Sequence, residues 1–500
     1  VAPRQQTEEK PKTALILSAG APHSPLIAGA LCALWDTGRT FDVIYTSGAG
    51  ALLGLLYTAP KGKEPKEALR GLVELGVSDL IYKLVPIGYK TFFKPGPFTR
   101  PIRQLAQLFK IGSFPLPQID RPVTGLGLAY NEWLKMWDTA QGGGVKRFYN
   151  DLIDLWAAAI TPTPLHYWSK GVCDPLPFLE DLVDFHVLNE KNGPFHFYMN
   201  AFSVTERHHT LYAKRGAATQ WGYRRAGFTT RPLPEFGASK ASRKKAALQS
   251  GYTTSEAQES DPPTSGLKMK LFYNKKGGGI HPEEVRAAFA YPFIYPPVTL
   301  NREVHFEGAG RDPISFGNLL VEDGVRADVK NIQRVVLIDI LGALDQYLLR
   351  EPRNLLDAFS LSILAPAVAH AKKEIARYRS AIEEADESLN VHDRLIQENP
   401  APRTMRATQA ALTPEAQQTK RRGDALKKLS EPDQALVQIT HFLPMTFDID
   451  EDLGPHITDW SYSNMSRLFD IGLRDGKRFW EENLADLDLP PDPRQTGRRQ

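Results

Sequence analysis

Five hundred residues suffice for one large domain with additions, or for two to three domains. Lys+Arg 61 against Asp+Glu 58 leaves a net charge of +3, so no global field points to nucleic acid and no such partner is expected. Hydrophobic content of 42% and charged content of 24% are those of an ordinary globular chain, and no apolar run reaches the roughly 18 residues that would suggest a membrane span.

Residues 1–12 read as a polar, disordered tail without the apolar core of a secretion signal. The chain begins without Met, which leaves an upstream signal open. Cys32 and Cys173, both in apolar company, read as buried small hydrophobes and fit a reducing compartment. The expected location is cytoplasmic, with peripheral membrane contact as an addition.

Thr13–Leu17 is a short buried strand running into the small-residue loop Ser18-Ala19-Gly20-Ala21, and a helical pattern follows from Pro25 to Trp35. After a turn at Gly38, the apolar run Phe41–Tyr45 stops at Ser47-Gly48-Ala49-Gly50, and an Ala/Leu helix begins at once. Strand, tight turn, helix is the arrangement of a nucleophile elbow, which lifts one turn residue clear of the backbone. Strand–helix–strand–helix over this stretch predicts parallel pairing in an α/β sheet.

The stretch 82–110 mixes aromatic and basic residues, among them Tyr89, Phe92, Phe93, Lys94, Arg100 and Lys110. Two readings stay open: peripheral contact with an anionic lipid surface, or a helix packing its aromatics on the core with solvated Lys and Arg. His196–Ser203 and Thr210–Lys214 alternate like paired strands, while 229–266 has too few large aliphatics to offset ordering entropy and reads as a disordered insert. Val285–Phe289 is helical, Pro292–Val298 a proline-rich turn, and Val335–Ile340 another buried strand. The α/β domain thus spans 13–345.

From 346 to 440 the pattern is that of a helical extension. Leu361, Leu364, Val368, Ala371, Ile375, Tyr378, Ile382, Ala385 and Leu389 recur at heptad spacing, a seam for a coiled-coil hairpin. Two readings are again open for 361–396: a partner or self-association surface, or a hairpin folded back on its own domain. Residues 441–485 return to the α/β domain, and 486–500 read as a polar tail.

Six segments together resemble the patatin-like phospholipase family in its bacterial form. Leu17–Leu34 resembles the glycine-rich opening LSGGGxRGxxxxGVLxAL, and Phe41–Leu52 resembles FDVIxGTSxGAL. Cys173–Thr205, Arg286–Val298 and Trp460–Gly472 resemble three further family segments, and Phe306–Pro313 (FEGAGRDP) stands in place of its DGG…N-P motif. The resemblance implies a three-layer fold with a mostly parallel central sheet, and ester hydrolysis by a Ser–Asp dyad with an oxyanion held by the glycine-rich loop. It implies a lipid or acyl-ester ligand and no metal or other cofactor. His208-His209 has no nearby Cys or spaced carboxylate to make a metal site.

Each catalytic part departs from the family pattern. An ungapped alignment puts Gly48 at the nucleophile and Ser47 at the preceding threonine. A register with one inserted residue before Ala49 retains Ser47 as nucleophile, but a strained turn tolerates insertion poorly, which favours the ungapped register. The dyad aspartate is replaced by Glu307, and one added methylene displaces the carboxylate. In the oxyanion loop, Ala19-Gly20-Ala21-Pro22-His23 replaces GGGxR; Pro22 has no N–H to donate. His23 as a base for Ser47 or Ser24 is conceivable, but a structural or solvent-exposed histidine is the favoured reading. The expectation is a catalytically impaired pseudoenzyme that binds lipid or scaffolds partners. The alternative is a serine acyl hydrolase using Ser47 and Glu307.

Overall fold

A computed structural model describes residues 12–20, 23–84, 179–190, 193–204, 267–273, most of 279–314, 332–341, 355–398, 414–429, 436–449 and 459–496, with isolated residues between. Four apolar segments far apart in sequence form the centre. Strand β1 (Lys12–Leu17) lies between β2 (Val43–Thr46) and β7 (Ile332–Ile338), parallel to both, and β8 (His441–Met445) extends the parallel set beside β7. Strands β1 and β2 are buried throughout apart from Lys12, as fits near-continuous hydrophobic runs in a sheet covered on both faces.

The far side of the sheet turns antiparallel. Strand β3 (His196–Val204) pairs in parallel with β2 through His196–Met199, then antiparallel with β6 (Glu303–Glu307) through Ala201–Val204. Strand β4 (Leu267–Tyr273) runs antiparallel along β3 from Tyr198 to Val204, and β5 (Val298–Leu300) pairs with β6. Because β4 fills one edge of β3 over that length, β2 and β6 must share the other edge. They approach from opposite directions, so the end of β6 at Glu307 abuts the end of β2 at Thr46. This juxtaposition places the site. β4 and β6 are the antiparallel partners of β3 among the described residues; the expected partner Thr210–Lys214, like the insert 229–266, lies outside them.

Helix α1 (Ser24–Thr37) is buried along nearly its whole length and ends in a left-handed Gly38. Helix α2 (Ala49–Thr58) follows β2, α3 (Pro65–Arg70) comes next, and α4 (Pro282–Ala288) starts with a capping box from His281 and Glu284. The 44-residue α5 (Leu355–Glu398) and α6 (Pro414–Leu426) pack on each other. Val368, Ala371, Tyr378, Ala385 and Leu389 are the buried members of the heptad seam. Helix α7 (Tyr462–Leu487), N-capped by the Ser461 hydroxyl, lies directly on α1, where Trp480 Nε1 donates to the Ala30 carbonyl at 3.1 Å.

The chain end corrects an expectation: 486–500 is not a free polar tail, at least to Thr496. Leu487 and Leu489 are buried, and Arg39 Nη1 donates to the Leu489 carbonyl at 2.9 Å. In the last turn, α8 (Pro493–Thr496), Arg494 grips buried Asp492 with Nε–Oδ1 2.9 Å and Nη2–Oδ2 2.6 Å, donates to the Tyr57 carbonyl, and lies over the rings of Trp35, Tyr57 and Phe195. Few aliphatics are needed, because one planar cation satisfies a buried carboxylate and covers three aromatics. Arg494→Lys keeps the charge but loses the fork and the stacking. It is expected to lower unfolding stability by about 2 kcal/mol in urea titration.

Among the described residues no helix is long and apolar enough to cross a membrane. Beyond Leu84 the stretch 82–110 lies outside the described residues, as do Cys173 and His208-His209. Cys32 is buried, and burial pushes its thiol up to about 12, which fits an inert core residue.

Candidate functional site

The turn between β2 and α2 has its apex at Gly48, with φ 48° and ψ −126°, a conformation that side chains adopt only under strain. The turn is crowded as an elbow demands. A Cβ on Gly50 would come within 2.6 Å of the Leu17 and Ser18 carbonyl oxygens, so only glycine lets α2 start this close to the end of β1. Residue 47 precedes the apex and does not point into the site. Ser47 is fully buried, and its Oγ donates to the Asp312 carbonyl at 2.9 Å, an oxygen that also accepts from Asn200 Nδ2 at 2.9 Å. The serine hydroxyl ties the elbow to the loop after β6.

Glu307 fills the place above the apex. A Cβ built on Gly48 would overlap Glu307 Oε1 and lie 3.0 Å from the Ala19 Cβ and 3.2 Å from the Ala309 Cβ. The carboxyl therefore occupies the volume that a side chain at the apex would need. Its backbone is held by Glu307 N donating to the Ala290 carbonyl at 3.1 Å. Glu307 as a residue keeps some exposure, yet its carboxyl group sits in a dense protein shell. That desolvation pushes its pKa from 4.5 up to about 8. Among the described residues the carboxyl has no hydrogen bond or ion pair. Tyr291 is raised too, first by its own burial and then by the neighbouring Glu307.

The turn after Glu307, Gly308-Ala309-Gly310, is glycine-led for a local reason: a Cβ on Gly308 would overlap Oδ1 of Asn200. Of the oxyanion-loop residues, Ala19 donates its N–H to the Pro313 carbonyl at 2.9 Å, so this donor is already engaged. Gly20 has φ 131° with Ile340 Cδ1 2.6 Å from where its Cβ would be. His23 is 3% exposed at the start of α1, which excludes the solvent-exposed reading. Ala21 and Pro22 lie outside the described residues. The structure thus brings Gly48, Glu307 and Ala19 together and turns Ser47 away from them.

Asn200, Tyr291 and Asp312 were not singled out by sequence. Asn200 had a signal, being the polar residue in the otherwise apolar centre of FYMNAF. Asp312-Pro313 stands in the FEGAGRDP segment already matched to a family motif.

The family model of patatin-like phospholipase matches residues 15–320. Among solved structures, VipD from Legionella pneumophila is similar at 12% identity over 92% of this chain and 67% of that one, with a TM-score of 0.25. No curated protein matches.

Proposed function

Because the chain belongs to the patatin-like phospholipase family, a family of lipid-hydrolase type, we propose that it keeps the acyl-facing architecture without running the Ser–Asp dyad, and acts as a lipid-binding or scaffolding protein. One observation carries this reading: the elbow apex is Gly48, and the Glu307 carboxyl fills the space where an apex nucleophile would stand. A nucleophile must be reachable by an acyl carbon with a base in hydrogen-bond reach. Ser47 fails the first condition, since it is buried and bonded to the Asp312 carbonyl.

The test is hydrolysis of a short-chain p-nitrophenyl ester and of a phospholipid by four proteins. Wild type and Ser47→Ala are expected to show the same background rate, although Ser47→Ala loses about 1 kcal/mol of stability with its hydrogen bond. Gly48→Ser alone is expected to stay silent, because the new side chain meets Glu307. Gly48→Ser with Glu307→Asp shortens the carboxylate by one methylene and is expected to gain turnover. Wild-type turnover that vanishes in Ser47→Ala would overturn the proposal and make Ser47 the nucleophile.

A further inference from the structure

The far half of α5 has two faces. The inner face packs on α6 and the turn after it through a small cluster of Leu389, Ala425 and Leu429, and its acids are paired, Asp393 with Arg421 at 2.8 Å and Asp386 with Arg422 at 3.7 Å. On the outer face, Val391 and Leu395 stand one turn apart at 47% and 45% exposure. They are two of the four large hydrophobics that are exposed among the described residues, the others being Leu152 and Val187. Glu383, Glu384 and Glu387 stand one to three turns before them on the same side, which Arg394 shares. At about 100° per residue all six side chains fall in one sector roughly 120° wide. None of the three glutamates has an ion pair among the described residues. Glu383, Glu387, Val391 and Arg394 also line a groove of about 330 Å³.

We propose that this acid-rimmed apolar stripe is a docking surface for a basic amphipathic helix of another protein, laid along α5 as a third helix beside the α5–α6 pair. Charge selects this occupant. A second copy laid parallel would set glutamates against glutamates, one laid antiparallel would set three glutamates against a single Arg394, and an anionic lipid surface would be repelled. A helix with Leu or Ile at i and i+4, flanked by Lys or Arg, buries the apolar pair and places cations on the rim. The proposal rests on α5 and α6 alone, and is separate from the elbow chemistry.

The probe is a labelled peptide of about three heptads, with leucines on one face and flanking lysines, and a twin carrying glutamate for each lysine. Fluorescence anisotropy is read against the full chain. At a net charge of +3 the chain as a whole does not attract a basic peptide, so binding reports a local surface. The lysine peptide is expected to bind, more weakly as salt rises, while the glutamate twin does not. Val391→Ser with Leu395→Ser, and separately Glu383→Gln with Glu384→Gln and Glu387→Gln, should each weaken binding about tenfold or more. All these positions are exposed, and circular dichroism checks that the variants fold. No binding, equal binding of both peptides, or a lysine peptide indifferent to the serine pair would overturn the proposal. So would self-association of the chain that the serine pair abolishes, since the occupant would then be a second copy.

Discussion

Glu307→Gln is expected to stabilise the protein at pH 9 by roughly 3–5 kcal/mol and to leave it unchanged at pH 4. The sign follows from the raised pKa of about 8 against 4.5 for the free side chain. Below 4.5 the carboxyl is neutral in both folded and unfolded chains, so the site contributes nothing to the pH dependence. Between 4.5 and about 8 the unfolded chain releases the proton while the folded chain keeps it, and stability falls by about 1.4 kcal/mol per pH unit. Above 8 both states are ionised and the loss is complete. Glutamine has the same shape and no proton to lose. Denaturant midpoints of the two proteins across pH 4–9 check this, because the contributions of other groups cancel in the difference. Parallel curves would mean that the Glu307 carboxyl is solvated like any surface acid.

Gly29→Ala is expected to cost at least about 3 kcal/mol and to release α7 from α1. The added methyl would overlap the Phe469 carbonyl oxygen and come within 2.5 Å of the Leu473 amide nitrogen. Backbone atoms cannot rotate aside, so the helices must separate. The contact is two-sided, since a Cβ on Gly472 would overlap the Leu26 carbonyl and one on Gly476 would lie 2.8 Å from the Ala30 Cα. Alanine favours an isolated helix over glycine by about 1 kcal/mol, which does not offset such an overlap. Gly423→Ala supplies the contrast, for nothing lies within 4 Å of a Cβ at Gly423 in α6. There the propensity gain acts alone, and about 0.5–1 kcal/mol of stabilisation is expected. Exposure of Trp480 by fluorescence, with thermal melts of the three proteins, separates the cases.

Strands β1, β2 and β7 were legible because each is a short apolar run bounded by turn residues, as in TALIL, FDVIY and VVLIDI. Elbow and glycine-rich loop were legible from small residues at the right spacing. What fills the elbow was not, because the meeting of Glu307 with Gly48 depends on β2 and β6 sharing one edge of β3. Nothing in a local window encodes that. The role of Ser47 was hidden for the same reason, its partner being 265 residues away. The chain end misled because its few apolar residues stand among Asp and Pro, while its main anchor, Arg494, is a residue type normally read as solvated.

Trp480 and its acceptor Ala30 are 450 residues apart. At about 5–20 residues per second, a ribosome takes on the order of 20–90 s to make the chain between them. For all that time α1, already emerged, lacks the helix that covers it. The nascent domain must therefore hold an apolar helix face until α7 appears. Products of early termination inside α5 or α6 would carry that face permanently, and quality control should recognise them by it. Insertions within the helical extension, by contrast, would only lengthen the wait.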